Sequence, residues 1–366
     1  MACEQVTLQD VCELIVDCPH TSTKDEGVGY PLIRTPNVGR GRLILTDVHR
    51  VSQDVYERRV SRAVPRQGDL ILAREAPAGN VAIVPPGIEV CLGQRTMLLR
   101  PDSSFVVPEY LNYYLNAPEQ RDRMLRLANG ATVSHINVAD IRNMPVQLPS
   151  RGEQSKVAEL LNVLDDKIDL NNRLNDYLEQ LVDGKFQELF GGLNFNATLS
   201  DVAEITMGQS PAGSSYNEEG AGIIFYQGRG EFGWRFPKRR LYTTEPKRLA
   251  CEGDVLMSVR APVGDLNVAF ENCCIGRGLA AIHSETPSFA LYLMRFLKPQ
   301  LEAYNGEGTV FGSINGKALK SLEVALPSHN EVMQFESFAA PIDALIRSNE
   351  NETRKLNNLR NYLLPK

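Results

Sequence analysis

At 366 residues the chain has room for two ordinary domains with separate cores, and 43% hydrophobic with 23% charged residues is the balance of a globular protein. The opening MACEQVTLQD holds no basic stretch followed by an apolar run, and no apolar stretch approaches the roughly 18 residues of a membrane span; a signal peptide and a membrane protein are excluded on this reading, and a cytoplasmic location is expected. Seven scattered cysteines without a C-x-x-C pair argue against a zinc site or a disulfide framework.

Net charge is −6, but it is unevenly spread. Residues 1–150 carry 16 Lys+Arg against 17 Asp+Glu, and residues 191–327 carry 13 against 14. Residues 151–190 carry 5 against 9, and residues 328–366 carry 5 against 5. The acid excess sits in one connecting segment, which leaves two near-neutral domains able to bind a polyanion if their basic residues share a face. Of the 16 basic residues in the first segment, 15 are arginine, whose planar fork suits guanine edges and phosphates. A GC-rich genome gives the same bias.

In chain order, Thr7-Leu8-Gln9-Asp10-Val11-Cys12-Glu13-Leu14 opens a mixed α+β segment. Leu70–Ala73 and Val81–Val84 read as strands divided by a turn at Pro77 and Gly79. A helix is expected over Pro108–Asn116, with Pro108 in its first turn, and Asn137 with Asp140 at the start of a short one. Nothing alternates strand, helix and strand repeatedly, so a doubly wound sheet is not expected. Beyond Pro149 the texture becomes helical, without proline through residue 190.

The plan then repeats. Thr198-Leu199-Ser200-Asp201-Val202 echoes the opening at an offset of 191. Gly253-Asp254-Val255-Leu256-Met257 echoes Gly68-Asp69-Leu70-Ile71-Leu72, and Ala261-Pro262-Val263-Gly264 echoes Ala76-Pro77-Ala78-Gly79, both at 185. Cys274-Ile275-Gly276-Arg277 follows Cys91-Leu92-Gly93-Gln94, and Ile314-Asn315 follows Ile136-Asn137. Strands are therefore expected at Val255–Val259 and Leu266–Phe270, and a helix near Ser288–Leu297. The matches keep their order while the offset shrinks, as two copies differing by loop deletions require.

A spacing of four and three picks out Val157, Leu161, Leu164, Ile168, Asn171, Asn175, Leu178 and Val182 in the first helical segment. Adding 178 gives Phe335, Ala339, Ile342, Ile346, Asn349, Thr353, Leu356 and Arg360 in the second. This is a coiled-coil seam, with Asn171 and Asn349 placed where a buried polar residue fixes register; two amphipathic helices packed each on its own domain is the plainer reading. Pro341 implies a kink or break near the start of the second helix. The architecture expected is α+β: two homologous mixed α/β domains at 1–150 and 191–327, separated by long helices at 151–190 and 328–366 that form an antiparallel, pseudo-twofold coiled coil. Val157 to Val182 spans 25 residues, about 38 Å, close to the roughly 34 Å of one turn of B-DNA.

Enzyme motifs are missing. There is no G-x-x-x-x-G-K-[ST] loop and no N/D-P-P-Y/F segment; Asn116-Ala117-Pro118-Glu119 fails the latter at two positions. Gly228-Arg229-Gly230-Glu231-Phe232-Gly233 satisfies G-x-G-x-x-G, but Trp234-Arg235-Phe236-Pro237 follows it, so it reads as a loop and not a phosphate-binding helix start. The five histidines show no metal-ligand spacing. No catalytic residue, metal or cofactor is expected in this chain.

For reading base edges, Arg or Lys suits guanine and Asn or Gln suits adenine. First-domain candidates are His20, Thr21 and Lys24 in one polar loop, then Arg34, Asn37, Arg40 and Arg42, then Arg74 and Gln94. Second-domain candidates are Gln209, Ser210, Tyr216 and Asn217, then Gln227 and Arg229, the run Lys238-Arg239-Arg240 beside Trp234, and Arg260 and Arg277. The basic run is the leading phosphate contact. Gln94 aligns with Arg277 and Arg95 with Gly278, differences that matter if that loop faces DNA.

The duplicated order, with Gly253-Asp254-Val255-Leu256 running into Arg260-Ala261-Pro262-Val263-Gly264-Asp265, Asp17-Cys18-Pro19-His20 in the first copy and Met207-Gly208-Gln209-Ser210-Pro211 in the second, resembles the specificity subunits of Type I restriction–modification systems over essentially the whole chain. The resemblance implies two target-recognition domains, each reading half of a split, asymmetric double-stranded DNA site. It also implies helices that set the unread spacer and dock two methyltransferase subunits, restriction subunits in the full complex, and S-adenosylmethionine bound by the methyltransferases. A tandem-domain scaffold that joins proteins and binds no DNA is the alternative.

Overall fold

The computed structural model describes residues 4–128, 135–306 and 312–365. It divides into two compact units: Met1–Leu170 with Glu352–Lys366, and Asn171–Asn351.

In the first unit a five-stranded sheet runs in the order Cys12–Asp17, Thr96–Pro101, Leu70–Ala73, Val81–Ile83, Gly41–Arg42, antiparallel except for its last pair. The central strand reads Leu-Ile-Leu-Ala without polar alternation because both its faces are covered. Leu70 and Leu72 enter a core with Tyr110, Leu111 and Tyr114 from the Pro108–Asn116 helix. Ile71 and Ala73 enter a second core with Cys18, Ile33 and Val90. A smaller sheet orders Arg50–Val51, Tyr30–Ile33 and Cys91–Leu92, the last pair parallel.

The second unit repeats this. Glu204–Met207, Leu279–His283, Val255–Ser258 and Leu266–Val268 form its four-stranded antiparallel sheet. Val255 and Met257 pack with the Pro287–Phe296 helix, while Leu256 faces the opposite core. Ile223–Tyr226 lies parallel to Cys273–Ile275, as Tyr30–Ile33 does to Cys91–Leu92. The shared turn has one geometry in both copies: Gly79 has φ +79° and Gly264 φ +89°, a region costly for L side chains. A Cβ at Gly264 would also lie 2.8 Å from Leu301 Cβ.

The long helices are Arg151–Phe190 and His329–Leu363. Each starts on a capping box: Ser150 donates its hydroxyl to Glu153 at 2.7 Å and Ser328 donates to Glu331 at 2.7 Å, while the same carboxylates accept the serine amides. Of the kink or break expected at Pro341 the break does not occur: the second helix is continuous through it. Phe335 and Ala339 before the proline and Ile346 after it are buried, and Pro341 itself is exposed, so packing holds both sides while the ring faces water.

Within each unit the helices pack antiparallel. In the first, Arg360 meets Asp165 at 2.9 Å and Lys167 meets Glu352 at 3.1 Å, with Val157, Leu161, Leu164 and Leu356 between them; Ile168 is also buried. In the second, Asn171 Nδ2 donates to the Asn349 carbonyl and Asn175 Nδ2 to the Ile346 carbonyl, each at 3.5 Å, and Asn349 Nδ2 donates to Asn175 Oδ1 at 2.8 Å. Leu178 and Ile342 are half-buried seam positions. The seam ends differ from a free coiled coil: Val182, Phe186, Phe335 and Ala339 are absorbed into the second domain's core, where more apolar area is available to cover them.

Candidate nucleic-acid interface

The second domain carries an open groove of about 340 Å³ lined by Ser210, Gln227, Arg229, Glu231, Arg260 and Arg277. Five of the sequence candidates thus converge from four separate chain segments. Sheet pairing accounts for it. The parallel match of Phe225–Tyr226 with Cys274–Ile275 delivers Gln227 beside Arg277, and the turn after Val255–Ser258 delivers Arg260.

The backbone beneath these side chains is pinned. Ser258 Oγ donates to the Arg260 carbonyl at 2.8 Å, Arg260 bridges Ser313, and the Arg277 amide donates to Ser210 Oγ at 3.2 Å. Gly278 has to be small, since a Cβ there would lie 2.9 Å from the Gln227 carbonyl oxygen. Arg229 pairs with Asp265 at 3.1 Å. Arg260 and Arg277 are exposed, and among the described residues neither guanidinium has an acceptor.

The strand registers fix the equivalent positions in the first domain. Asp17 pairs with Met97 and Met207 with Ala280, which equates His20 with Ser210; Leu32 with Cys91 and Phe225 with Cys274 equate Arg34 with Gln227. The turn equates Glu75 with Arg260, and the following loop equates Gln94 with Arg277. Here the chemistry differs. Glu75 is paired to Arg95, the residue that stands where the second copy has Gly278. Gln94 Nε2 donates to the His20 carbonyl at 3.0 Å, and His20 Nε2 lies 3.1 Å from Asp17. Glu75 was not singled out by sequence reading because an acidic residue does not match a search for basic or amide side chains; only the alignment of the copies reveals it.

Other candidates are used inside the fold. Asn37, 4% exposed, accepts from the Arg34 amide and donates to the Ile44 carbonyl. Arg74 holds Asp17 with bonds of 2.7 and 2.8 Å and donates to the Ile136 carbonyl. Arg42 ties the domain to Asp166, at 2.6 Å, and Asp169 on the long helix. Asn217 closes its own loop through two bonds with Ala221, and the Tyr216 hydroxyl donates to the Pro211 carbonyl. Thr21 gives its carbonyl to Arg59, whose guanidinium also reaches Thr23 and the Leu92 carbonyl. Of the basic run, Arg239 pairs with Glu271 at 2.6 Å and Arg240 with Glu231; Lys238 is exposed. Lys24, Arg40 and Gln209 are also exposed, Arg40 beside Arg121 and Arg360 in a separate pocket of about 240 Å³. The arginine excess of the first domain therefore serves largely as internal cross-links.

The acid excess of the connecting segment has the same explanation. Asp165 accepts from the Tyr113 hydroxyl at 2.9 Å, and Asp343, its counterpart at an offset of 178, accepts from the Tyr292 hydroxyl at 3.0 Å. Burial, together with the neighbouring carboxylate, pushes both tyrosines upward and keeps them donors. Arg235, 4% exposed, reaches Asp343 at 2.5 Å and Glu179 at 3.6 Å, and Arg295 reaches Asp183 at 2.6 Å. Each long helix also caps a domain helix: Gln154 accepts from the Val107 amide, and Glu336 from the Ser288 and Phe289 amides. Burial raises the Glu336 carboxyl, and those amides oppose the shift.

Among the described residues, one side-chain group has metal-ligand chemistry: Cys251, Asp254 and His283 place ligand atoms within 4.8 Å of one another. Histidine spacing could not show this, because the strand pairing supplies it. The first copy has Arg66, Asp69 and Arg100 at these positions, with Asp69 closing the turn through the Arg66 amide and pairing Arg100. Asp254 does both jobs again, accepting the Cys251 amide at 2.7 Å and meeting His283 Nδ1 at 2.7 Å. That bond raises the His283 pKa.

Two duplicated domains and two long helices of this kind match known proteins. The model of the Type I restriction modification DNA specificity domain matches residues 2–180 and 196–361. A putative type I restriction enzyme MjaX specificity subunit of Methanocaldococcus jannaschii is 31% identical, covering 95% of this chain and 88% of that protein. The MjaIX specificity subunit of the same organism is 22% identical, covering 87% and 82%. The fold resembles the Type I restriction–modification S subunit from M. genitalium with a TM-score of 0.65 at 15% identity, over 99% of this chain and 95% of that one. The chain belongs to the specificity subunits of Type I restriction–modification systems and carries two target-recognition domains.

Proposed function

We propose that each recognition domain reads one half of a bipartite, asymmetric double-stranded DNA site, and that the long helices set the number of unread base pairs between the halves. The chain contributes recognition and no catalytic group. Methyltransferase subunits, one on each unit, bring S-adenosylmethionine, and restriction subunits complete the complex. The observation that carries this reading is the groove of the second domain together with its altered counterpart in the first: one frame, two different sets of polar side chains.

Docking of two partners has separate support. Beside the buried seam, the first long helix exposes a second stripe at heptad spacing. Leu160 (49% exposed), Val163 (65%) and Leu170 (58%) lie in the first unit, and Leu174 (38%), Tyr177 (62%) and Leu181 (54%) in the second. On the second long helix, Leu359 and Tyr362 in the first unit and Phe338 and Leu345 in the second are also exposed. Stripes of this kind are where partner helices pack.

Methylation profiling of cells expressing the chain with a partner methyltransferase subunit tests the proposal. A single split motif with unlike halves is expected; finding none contradicts it. Replacing Leu160 and Val163 together by Asp is expected to leave stability within about 0.5 kcal/mol and to reduce co-purification of the methyltransferase. Undiminished co-purification would move the docking surface elsewhere.

A further inference from the structure

The two domains offer different donors at equivalent places, and this bears on which bases each can read. In the second domain Arg260 and Arg277 stand on pinned backbone beside one groove, without internal acceptors among the described residues. A held backbone presenting a free planar fork is the arrangement that donates twice to guanine O6 and N7. In the first domain the Arg260 position is Glu75, already bound to Arg95, and the Arg277 position is Gln94. Neither residue there presents an unpaired fork.

We propose that Arg260 and Arg277 are specificity-determining residues that read guanine in the half-site of the second domain. This rests on the reading that the second domain contacts DNA bases, and it names the chemistry of that contact. Phosphate binding by the same arginines is the competing outcome. It predicts uniform weakening across sequences and a shallower salt dependence, whereas a base contact predicts relaxed choice at one position.

The test uses the chain in complex with its methyltransferase subunits, with methylation profiling for the wild type and for Arg260→Gln, Arg277→Gln and Arg277→Lys. The expected wild-type motif contains guanine in one half, and each variant loses about 10- to 100-fold of its discrimination at a guanine in that half. The other half is unchanged. Arg277→Lys keeps the charge but not the fork, so it is expected to bind DNA and still misread. Arg95→Gly in the first domain is expected to alter only the opposite half, which assigns halves to domains. A split motif without guanine in the second domain's half overturns the inference and leaves the proposed function standing. Uniform weakening in the two glutamine variants, with Arg277→Lys reading the wild-type motif, overturns it in favour of phosphate. Absence of any split motif from the wild type removes the proposed function, and the inference with it.

Discussion

Arg42 and Arg235 both fasten a recognition domain to a long helix, yet they do so in different solvents. Arg42 keeps 40% of its side chain in water, and its partners Asp166 and Asp169 keep 72% and 48%. Arg235 keeps 4%, and Asp343 and Glu179 keep 18% and 15%. The tyrosine–aspartate anchor, the glycine turn and the helix caps are common to both units, whereas the charged fastenings and groove side chains differ. A frame built from buried strands and repeated anchors leaves the polar side chains around it free to diverge, which is what a protein reading two unlike half-sites requires.

The largest expected effect breaks that comparison at its buried end. Arg235→Met leaves Asp343 and Glu179 partly buried with less countercharge and is expected to cost about 3–5 kcal/mol in urea unfolding. Arg42→Met is expected to cost less than about 1 kcal/mol, because its pair is solvated. Equal losses would show that burial does not distinguish the two fastenings. Next come Tyr113→Phe and Tyr292→Phe, each removing a bond to a carboxylate, with expected losses of about 1.5–3 kcal/mol. Tyr292→Phe should cost the more of the two, since its hydroxyl also accepts from buried Arg235 at 3.2 Å. Equal losses would show that the Arg235 bonds to the hydroxyl add nothing.

The smallest effect separates Asp254–His283 from Asp69–Arg100. The folded-state pKa of His283 is raised by Asp254, so its stabilising contribution is fully present below the ordinary histidine value of about 6.5 and is lost as pH rises through the raised folded value. With 54% of the imidazole exposed the effect is small. Thermal midpoints at pH 6 and 8.5 should fall further for the wild type than for His283→Gln. The same fall in both would detach His283 from any role in stability.

Much of this architecture was legible in the sequence because duplication and apolar spacing survive divergence. Leu70–Ala73 and Pro108–Asn116 occur as strand and helix where their patterns place them, and Asn171 and Asn349 meet across the helices. Individual polar roles were less legible, since a guanidinium that ties a carbonyl looks the same in sequence as one that faces a base. Arg59 and Arg74 are of the first kind, Arg42 holds two carboxylates, and Arg260 and Arg277 line the open groove. The continuity of the second helix through Pro341 was illegible for a related reason: the packing of Phe335, Ala339 and Ile346 on both sides of the proline is not visible along the chain.

The most direct measurement of the central claim replaces the segment between the two long helices with a copy of the segment that precedes the first, and profiles methylation with the partner subunits present. Two identical domains should modify an inverted repeat of the half-site read by the first. A folded, partner-bound complex that still modified the original unlike halves would contradict the assignment of one half-site to each domain.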